Sequence, residues 1–313
     1  MKIVEYDAVD PLGVLHLNLS SLGYALTPER AALIRRVDAR PFPFFGVYAV
    51  EDGVVVGQVG VYRLPMVSTE GREDVGGVCA VCTHPAFERR GIASRLLDEA
   101  HERMRAAGLR FSTLGTARYR MAYALYRRLG YEDAVTSASA LIRREAIGTS
   151  NLQTERAGKE RLPLTDEIFR RAASNHLGFA WRHESFINTL VTVGDVGLDT
   201  VWLLRDGEQI AGYAIVNITE AIATVSDLVL VDGVEAVSAV AAIARASNVS
   251  YVRVAMSRPA VIAGLRQAGD PVARPDWGTF MIKPLTSEVT VEDARRLFGI
   301  GTDRYLMAWM DVT

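Results

Sequence analysis

The sequence predicts an α/β (α+β) protein of two related modules, each a mixed sheet with helices on both faces. Three observations carry that prediction. The chain is 313 residues long, its first half runs helix, hairpin, central strand, helix, strand, helix, strands, and the second half returns much the same order. With 49% hydrophobic and 23% charged residues, the chain can fill two cores, and one domain seldom needs so much material.

The first helix is read from TPERAALIRRVDA, where Thr27 caps and Ala31, Leu33, Ile34 and Val37 are its apolar positions. In FFGVYAVEDGVVVGQVGVYRL, two apolar runs meet at Asp52-Gly53, a strong hairpin signal. Val78 to Thr83, bounded by Gly76, Gly77 and Pro85 and rich in small and β-branched residues, reads as the central strand. After Pro85 the chain turns into a helix, with Ile92, Leu96, Leu97, Ala100 and Met104 on one face and Gly108 as its stop. Leu109 to Leu114 reads as a strand, RYRMAYALYRRLG as a short helix closed by Gly130, and Tyr131 to Arg144 as the closing strands.

The central strand contains a CxxC followed by His84, a pattern that raises metal or redox chemistry. Strand side chains alternate, so Cys79 and Cys82, three apart, belong on opposite faces unless a bulge intervenes. A closed zinc site would also need two more ligands, and His84 is the nearby candidate. The cysteines are therefore read as small core residues, with no metal.

The stretch after the strand is more informative. In FERRGIAS, Gly91 and the small Ala93 let successive amides at the helix start approach an anion, with Arg89 and Arg90 beside them. Neither GxxxxGK[ST] nor GxGxxG is present. The segment Glu88-Arg89-Arg90-Gly91-Ile92-Ala93, preceded by Thr83-His84-Pro85, resembles the (Q/R)xxGx(G/A) acetyl-CoA motif of the GNAT family of N-acetyltransferases, with Glu88 in place of the usual glutamine or arginine. Tyr126-Arg-Arg-Leu-Gly-Tyr131 is similar to the same family's A-x-x-x-Y-x-x-L-G-F segment. The resemblance covers Met1 to about Arg144 and implies a mostly antiparallel, twisted sheet. It also implies acetyl-CoA as acyl donor, held by Val81, Cys82, Thr83, Arg89, Arg90, Gly91, Ile92, Ala93 and Ser94.

The implied reaction is direct attack of a neutral primary amine on the thioester, through a tetrahedral intermediate. Its oxyanion needs a preorganised donor, most simply a backbone amide of Val81 to Thr83. Tyr126 is the candidate general acid for the leaving thiolate, against the plainer reading of a core tyrosine. Glu73 and Asp74, just before the central strand, are weak candidates for the general base. His84 sits beside the phosphate end and is not expected to act as one.

From Glu145 to Pro163 the chain reads as a linker, which sets modules at 1–148 and 149–313. Beyond it VWLLRDGEQIAGYAIV repeats the hairpin, 154 residues on at the turn. ATVSDLVLVDG echoes the central strand, VEAVSAVAAIARAS the helix, VSYVRVAMS a strand and PAVIAGLRQAG a short helix, an internal repeat. This copy has Asp232 and Glu235 where the first has arginines, so it would repel an anion and is read as a degenerate, structural or substrate-shaping module. That pattern resembles tandem GNAT enzymes. All four tryptophans lie in this half, and Trp181, beside His176 and His183, is placed as a candidate lining of an acceptor cleft. The tail GTDRYLMAWMDVT alternates like a final strand and would bring Asp311 and Thr313 near the groove between modules.

Several classes are excluded. The formal net charge of -2 comes from mixed signs, which gives no footprint for nucleic acid or anionic membrane. Two cysteines make no disulfide framework and no stretch of about 18 apolar residues suggests a spanning helix, so the chain is read as cytoplasmic. Its partner would be a small-molecule or peptide or protein amine, and the oligomeric state is left open, a homodimer included. The alternative from another class is a noncatalytic acyl-CoA-binding protein.

Overall fold

The computed structural model describes residues 1–255, 263–265 and 272–311. The first half runs β1 (Lys2–Glu5), α1 (Pro11–Leu22), α2 (Pro28–Val37), β2 (Pro41–Glu51), β3 (Val54–Ser68), β4 (Gly71–Thr83), α3 (Ile92–Ala106), β5 (Phe111–Ala117), α4 (Met121–Arg128) and β6 (Glu132–Arg143). The second runs β7 (Gln153–Arg156), α5 (Pro163–Ala173), β8 (Leu177–Gly178), α6 (Phe186–Val193), β9 (Val201–Asp206), β10 (Gln209–Thr219), β11 (Ile222–Leu230), α7 (Ala236–Ser247), β12 (Tyr251–Val254), β13 (Val272–Pro284), α8 (Val291–Phe298) and β14 (Tyr305–Leu306). The repeat is visible in the elements, since β9, β10, β11, α7 and β12 follow one another as β2, β3, β4, α3 and β5 do.

Local chemistry accounts for the boundaries. Thr27 accepts from the Arg30 amide and caps α2 as expected, and Asp52 and Gly53 both take positive φ in the β2–β3 turn. In the second hairpin the turn falls on Gly207 and Glu208, one residue later than the sequence suggested. β1 and α1 have no counterpart in the sequence reading. The run Leu15-His-Leu-Asn-Leu19 alternates like a strand, but Asp10 caps the Leu12 amide at 3.1 Å, Pro11 opens the helix and Gly23 closes it.

One sheet crosses both halves, in the order β1-β2-β3-β4-β5-β13-β6-β12-β11-β10-β9-β7. β13, from the second half, lies between β5 and β6, while β6 pairs with β12. A single closing strand thus follows Tyr131 where several were expected, because β13 takes the place beside β5. The linker is likewise not featureless, since β7 forms the far edge of the sheet on β9. Among its described residues the tail forms the two-residue β14, parallel to β8, and a 3-10 turn at Trp309–Asp311. The short helix expected over Pro259–Gly269 lies largely outside the described residues, as does Thr313.

Helices cover both faces. α3 and α4 bury Leu96, Leu97, Met104 and Tyr126 against Val56, Val59, Val61 and Val78. α1 and α2 cover the opposite face through Val14, Leu17, Ala31 and Ile34, and α8 extends that layer through Leu297 and Phe298. In the second half α7 packs on one face and α5 and α6 on the other. Val193 of α6 joins the cluster under α1 and α2, so the halves share a core there. Among the described residues, no helix is long and apolar enough to cross a membrane.

Candidate active site

β4 and β5 pair in parallel at only two positions, Gly76↔Ser112 and Gly77↔Thr113. Beyond them β4 stays on β3 and β5 follows β13, so the two strands fork. One edge of Val78–Thr83 is thereby left without a β5 partner, and its backbone groups need another. A donor that carries amide and carbonyl groups along an extended arm can supply them.

The forked edge also carries a bulge. Gln58 pairs with Cys82 but Gly60 with Cys79, so Ala80 and Val81 together oppose Val59. Ala80 has φ +47°, a left-handed conformation that costs a non-glycine residue on the order of 1 kcal/mol. A buried amide pair holds it there. Asn18 of α1 and Gln58 exchange hydrogen bonds of 2.9 and 2.8 Å, and Gln58 donates a further one to the Ala80 carbonyl at 3.1 Å.

The bulge corrects the reading of the cysteines. By shifting the strand's parity it brings both to the α1 side, Cys82 into the cluster with Tyr6, Val14 and Leu17, and Cys79 into a small cavity with Tyr24, Tyr48 and Gln58. Burial pushes both thiols up to about 12, so neither is a thiolate near neutrality. No group of three or more His, Cys, Asp or Glu that could hold a metal occurs among the described residues.

Thr83 leads through the His84–Phe87 turn to the head of α3. Gly91 is the N-cap, with φ +73°. An added Cβ there would meet nothing within 4 Å, so glycine is required by the left-handed backbone and not by crowding in the free protein. Buried Ile92 anchors the first turn, while the leading amides, including those of Ala93 and Ser94, have no acceptor within the helix and sit at its positive end. Arg89 is exposed, also left-handed at φ 61°. Arg90 is engaged, its guanidinium 2.7 Å from Glu51 and stacked over Phe87. Fork and cradle belong to one continuous strand–turn–helix, and these residues fit the diphosphate and the extended arm of acetyl-CoA.

Tyr126 projects from α4 into the core beside Tyr131, ring centroids 5.9 Å apart, and is 6% exposed. Burial pushes its phenol up to about 12, with Arg120 opposing and Cys79 and Cys82 adding to the rise. It keeps its proton at neutral pH. Glu73 and Asp74 lie at the far end of β4, where Glu73 accepts two bonds from Arg110 at 2.8 and 2.7 Å and Asp74 faces Arg63 at 3.7 Å. The structure therefore places the backbone of Val81, Cys82 and Thr83 along the forked edge and Tyr126 in the core cluster against which Val81 packs, and leaves Glu73 and Asp74 in ion pairs at the other end of the strand.

The second half has its own parallel pair, β11 on β12 from Ile222↔Tyr251 to Val225↔Val254. Beside it, among the described residues, lies a cavity of about 50 Å³ bounded by Arg182, Leu306, Met307 and Asp311. Buried Arg182 bonds Asp311 through two nitrogens, at 2.7 and 2.9 Å, and Asp227 at 3.2 Å. Glu235 caps α7 where Gly91 caps α3. Asp311, in a short 3-10 turn and not the expected strand, is held by Arg182 and lines a small pocket with Arg40, Leu64 and Pro65 of the first half, so the tail does reach the groove between the halves.

Between the halves lies a cavity of about 400 Å³, lined by Arg40 and Tyr62 from the first and by Asp195, Thr200, Asn217 and Ser226 among residues of the second. Tyr62 also lines the Cys79 cavity, so one side chain faces both spaces. Trp181 sits nearby at the module interface, under Arg72 at 4.4 Å and edge-on to His183. Asn18, Gln58, Tyr62 and Asp195 carry no sequence motif, and their grouping depends on contacts between distant segments.

The site is thus a forked sheet whose central strand runs on into a helix start with free leading amides. Residues 17–134 match the acetyltransferase (GNAT) domain. No curated protein matches the sequence. Among solved structures, a GCN5-related N-acetyltransferase from Anabaena variabilis is similar with a TM-score of 0.68 at 17% identity, over 91% of this chain and 73% of that one. One from Kribbella flavida has a TM-score of 0.63 at 19% identity, over 90% and 71%. Eis1 from Mycobacterium abscessus has 0.61 at 15%, over 91% and 74%. At these identities the likeness is one of fold, and it spans both halves.

Proposed function

We propose that the first module binds acetyl-CoA and passes its acetyl group to a primary amine by direct attack. The observation that carries this reading is the continuity of the β4 fork with the Gly91 cradle, which spaces an acyl-end groove and a diphosphate-end helix start on one segment. The bulged edge around Ala80–Thr83 supplies backbone amides to the developing oxyanion, fixed beforehand by the Asn18–Gln58 pair. As the C–N bond forms and the C–S bond breaks, Tyr126 donates a hydrogen bond, and then its proton, to the departing sulfur.

The acceptor enters from the α1 and α2 face, through the cavity shared with the second half. This assigns modules at 1–148 and 149–313 a division of labour, with donor chemistry in the first and one wall of the acceptor site in the second. Asp195 is the carboxylate on that wall, and burial raises its pKa while Arg30 opposes the rise. The test is acetyl-CoA-dependent thiol release over a panel of small amines and peptide N-termini. Turnover with at least one amine, reduced ~10²-fold in Tyr126→Phe, is the expected result. Donor binding without turnover on any amine would favour a noncatalytic acyl-CoA-binding protein.

A further inference from the structure

At the closed end of the fork, four side chains from four segments form one hydrogen-bonded line. Lys283 Nζ lies 3.2 Å from His101 Nδ1, His101 Nε2 is 2.8 Å from the Tyr131 hydroxyl, and that hydroxyl is 2.7 Å from Ser112 Oγ. Ser112 Oγ is 3.1 Å from the Gly76 carbonyl. His101, Tyr131 and Ser112 are buried, and Lys283 is half-buried on β13.

The two ends of the line dictate the same polarity. Gly76 O can only accept, so Ser112 donates to it and must accept from Tyr131, which in turn accepts from His101 Nε2–H. An ammonium can only donate, so Lys283 gives its proton side to His101 Nδ1, the acceptor of that same tautomer. Each polar group in the line is satisfied, with none left over. Because the line ends on a carbonyl, which takes up no proton at neutral pH, it cannot conduct protons onward. What it can do is hold position.

The position it holds is the crotch of the fork. Gly76 and Ser112 form the first of the two β4–β5 pairs, and a Cβ on Gly76 would fall on the Met104 sulfur of α3. The same helix carries His101, and it begins at the Gly91 cradle. Tyr131 stands where the resembling L-G-F segment has phenylalanine, so its hydroxyl is an addition that the apolar core alone does not require. We propose that Lys283, His101, Tyr131 and Ser112 are positioning residues that lock Gly76 and set the opening between β4 and β5, so that a strand from the second half governs donor binding by the first.

This inference rests on the donor reading above, and its test separates the two. Amide hydrogen exchange at Gly77, Ser112 and Thr113 needs no ligand. Lys283→Met and Tyr131→Phe should raise exchange at these amides about fivefold, the equivalent of one net hydrogen bond, while Lys283→Arg should stay near the parent. Calorimetry with coenzyme A then reads function. Lys283→Met, Tyr131→Phe and Ser112→Ala should each weaken binding by about fivefold, and the Lys283→Met/Ser112→Ala pair should be no weaker than the worse single variant, since a line broken once is already broken. Unchanged exchange at the fork, or Lys283→Met and Ser112→Ala effects on affinity that multiply, would overturn the proposal. A parent protein that takes up no coenzyme A would overturn the donor reading, and the exchange result would still decide whether the line locks the fork.

Discussion

His101 gives the sharpest physical prediction, because a buried neutral histidine makes folding depend on acid. Burial first, then the charges of Lys283 and Arg105, lower its pKa from 6.5 to about 3. The unfolded chain therefore binds a proton below pH 6.5 that the folded chain refuses, so the histidine's contribution to stability is full above about 6.5 and is lost as pH falls toward 3. At 1.36 kcal/mol per pH unit, the loss by pH 5 is ~2 kcal/mol, and the limit at still lower pH is on the order of 5 kcal/mol. His101→Gln keeps a donor and an acceptor but has nothing to titrate. Urea unfolding at pH 8 and pH 5 should show the parent losing ~2 kcal/mol more than the variant. NMR of the imidazole nitrogens should show a neutral ring protonated on Nε2 through pH 5. Equal losses in the two proteins, a titration midpoint near 6.5, or a proton on Nδ1 would refute both the buried-neutral assignment and the polarity of the line it belongs to.

Other expectations follow from single contacts. Gly91→Ala has room for its methyl group but not the right backbone, so it should lower stability by ~1 kcal/mol and weaken acetyl-CoA uptake, and Gly91→Val more so; a Gly91→Ala protein melting with the parent would show that the left-handed turn is not needed. Cys79 and Cys82 should react slowly with a disulfide reagent at pH 8 in the native protein and rapidly in denaturant, whereas fast native labelling would reveal an accessible thiolate. Glu73→Gln breaks the paired bonds to Arg110 and should cost ~1 kcal/mol of stability while leaving turnover within about threefold. A ~10²-fold fall in turnover for that variant would make Glu73 the base after all.

The features legible in the sequence were those set by neighbours a few residues apart. The Thr27 cap, the Asp52-Gly53 turn and the amphipathic face of α3 each depend on a local rule, and each formed where the rule placed it. The cradle was legible for the same reason, although the demand on Gly91 proved to be conformational and not spatial. Features that depend on distant pairings were hidden. The bulge at Ala80 bears no glycine and is held by Asn18 and Gln58, 40 residues apart, so nothing near the CxxC announced that both cysteines would face α1. β13 joins the first half's sheet from more than a hundred residues away, and its pairing with β5 and β6 interlocks the halves in a way no local signal announces. α1 was not read from the sequence, although its cap at Asp10 and stop at Gly23 are local signals, set against leucines that alternate without a helical period.

The central claim concerns where acyl-CoA goes, and titration calorimetry of acetyl-CoA into the full chain addresses it directly. The account predicts one molecule taken up per chain, with affinity reduced by substitution at Gly91 and untouched by replacing Asp232 or Glu235 in the second half. No heat of association, or two equivalent sites per chain, would contradict it.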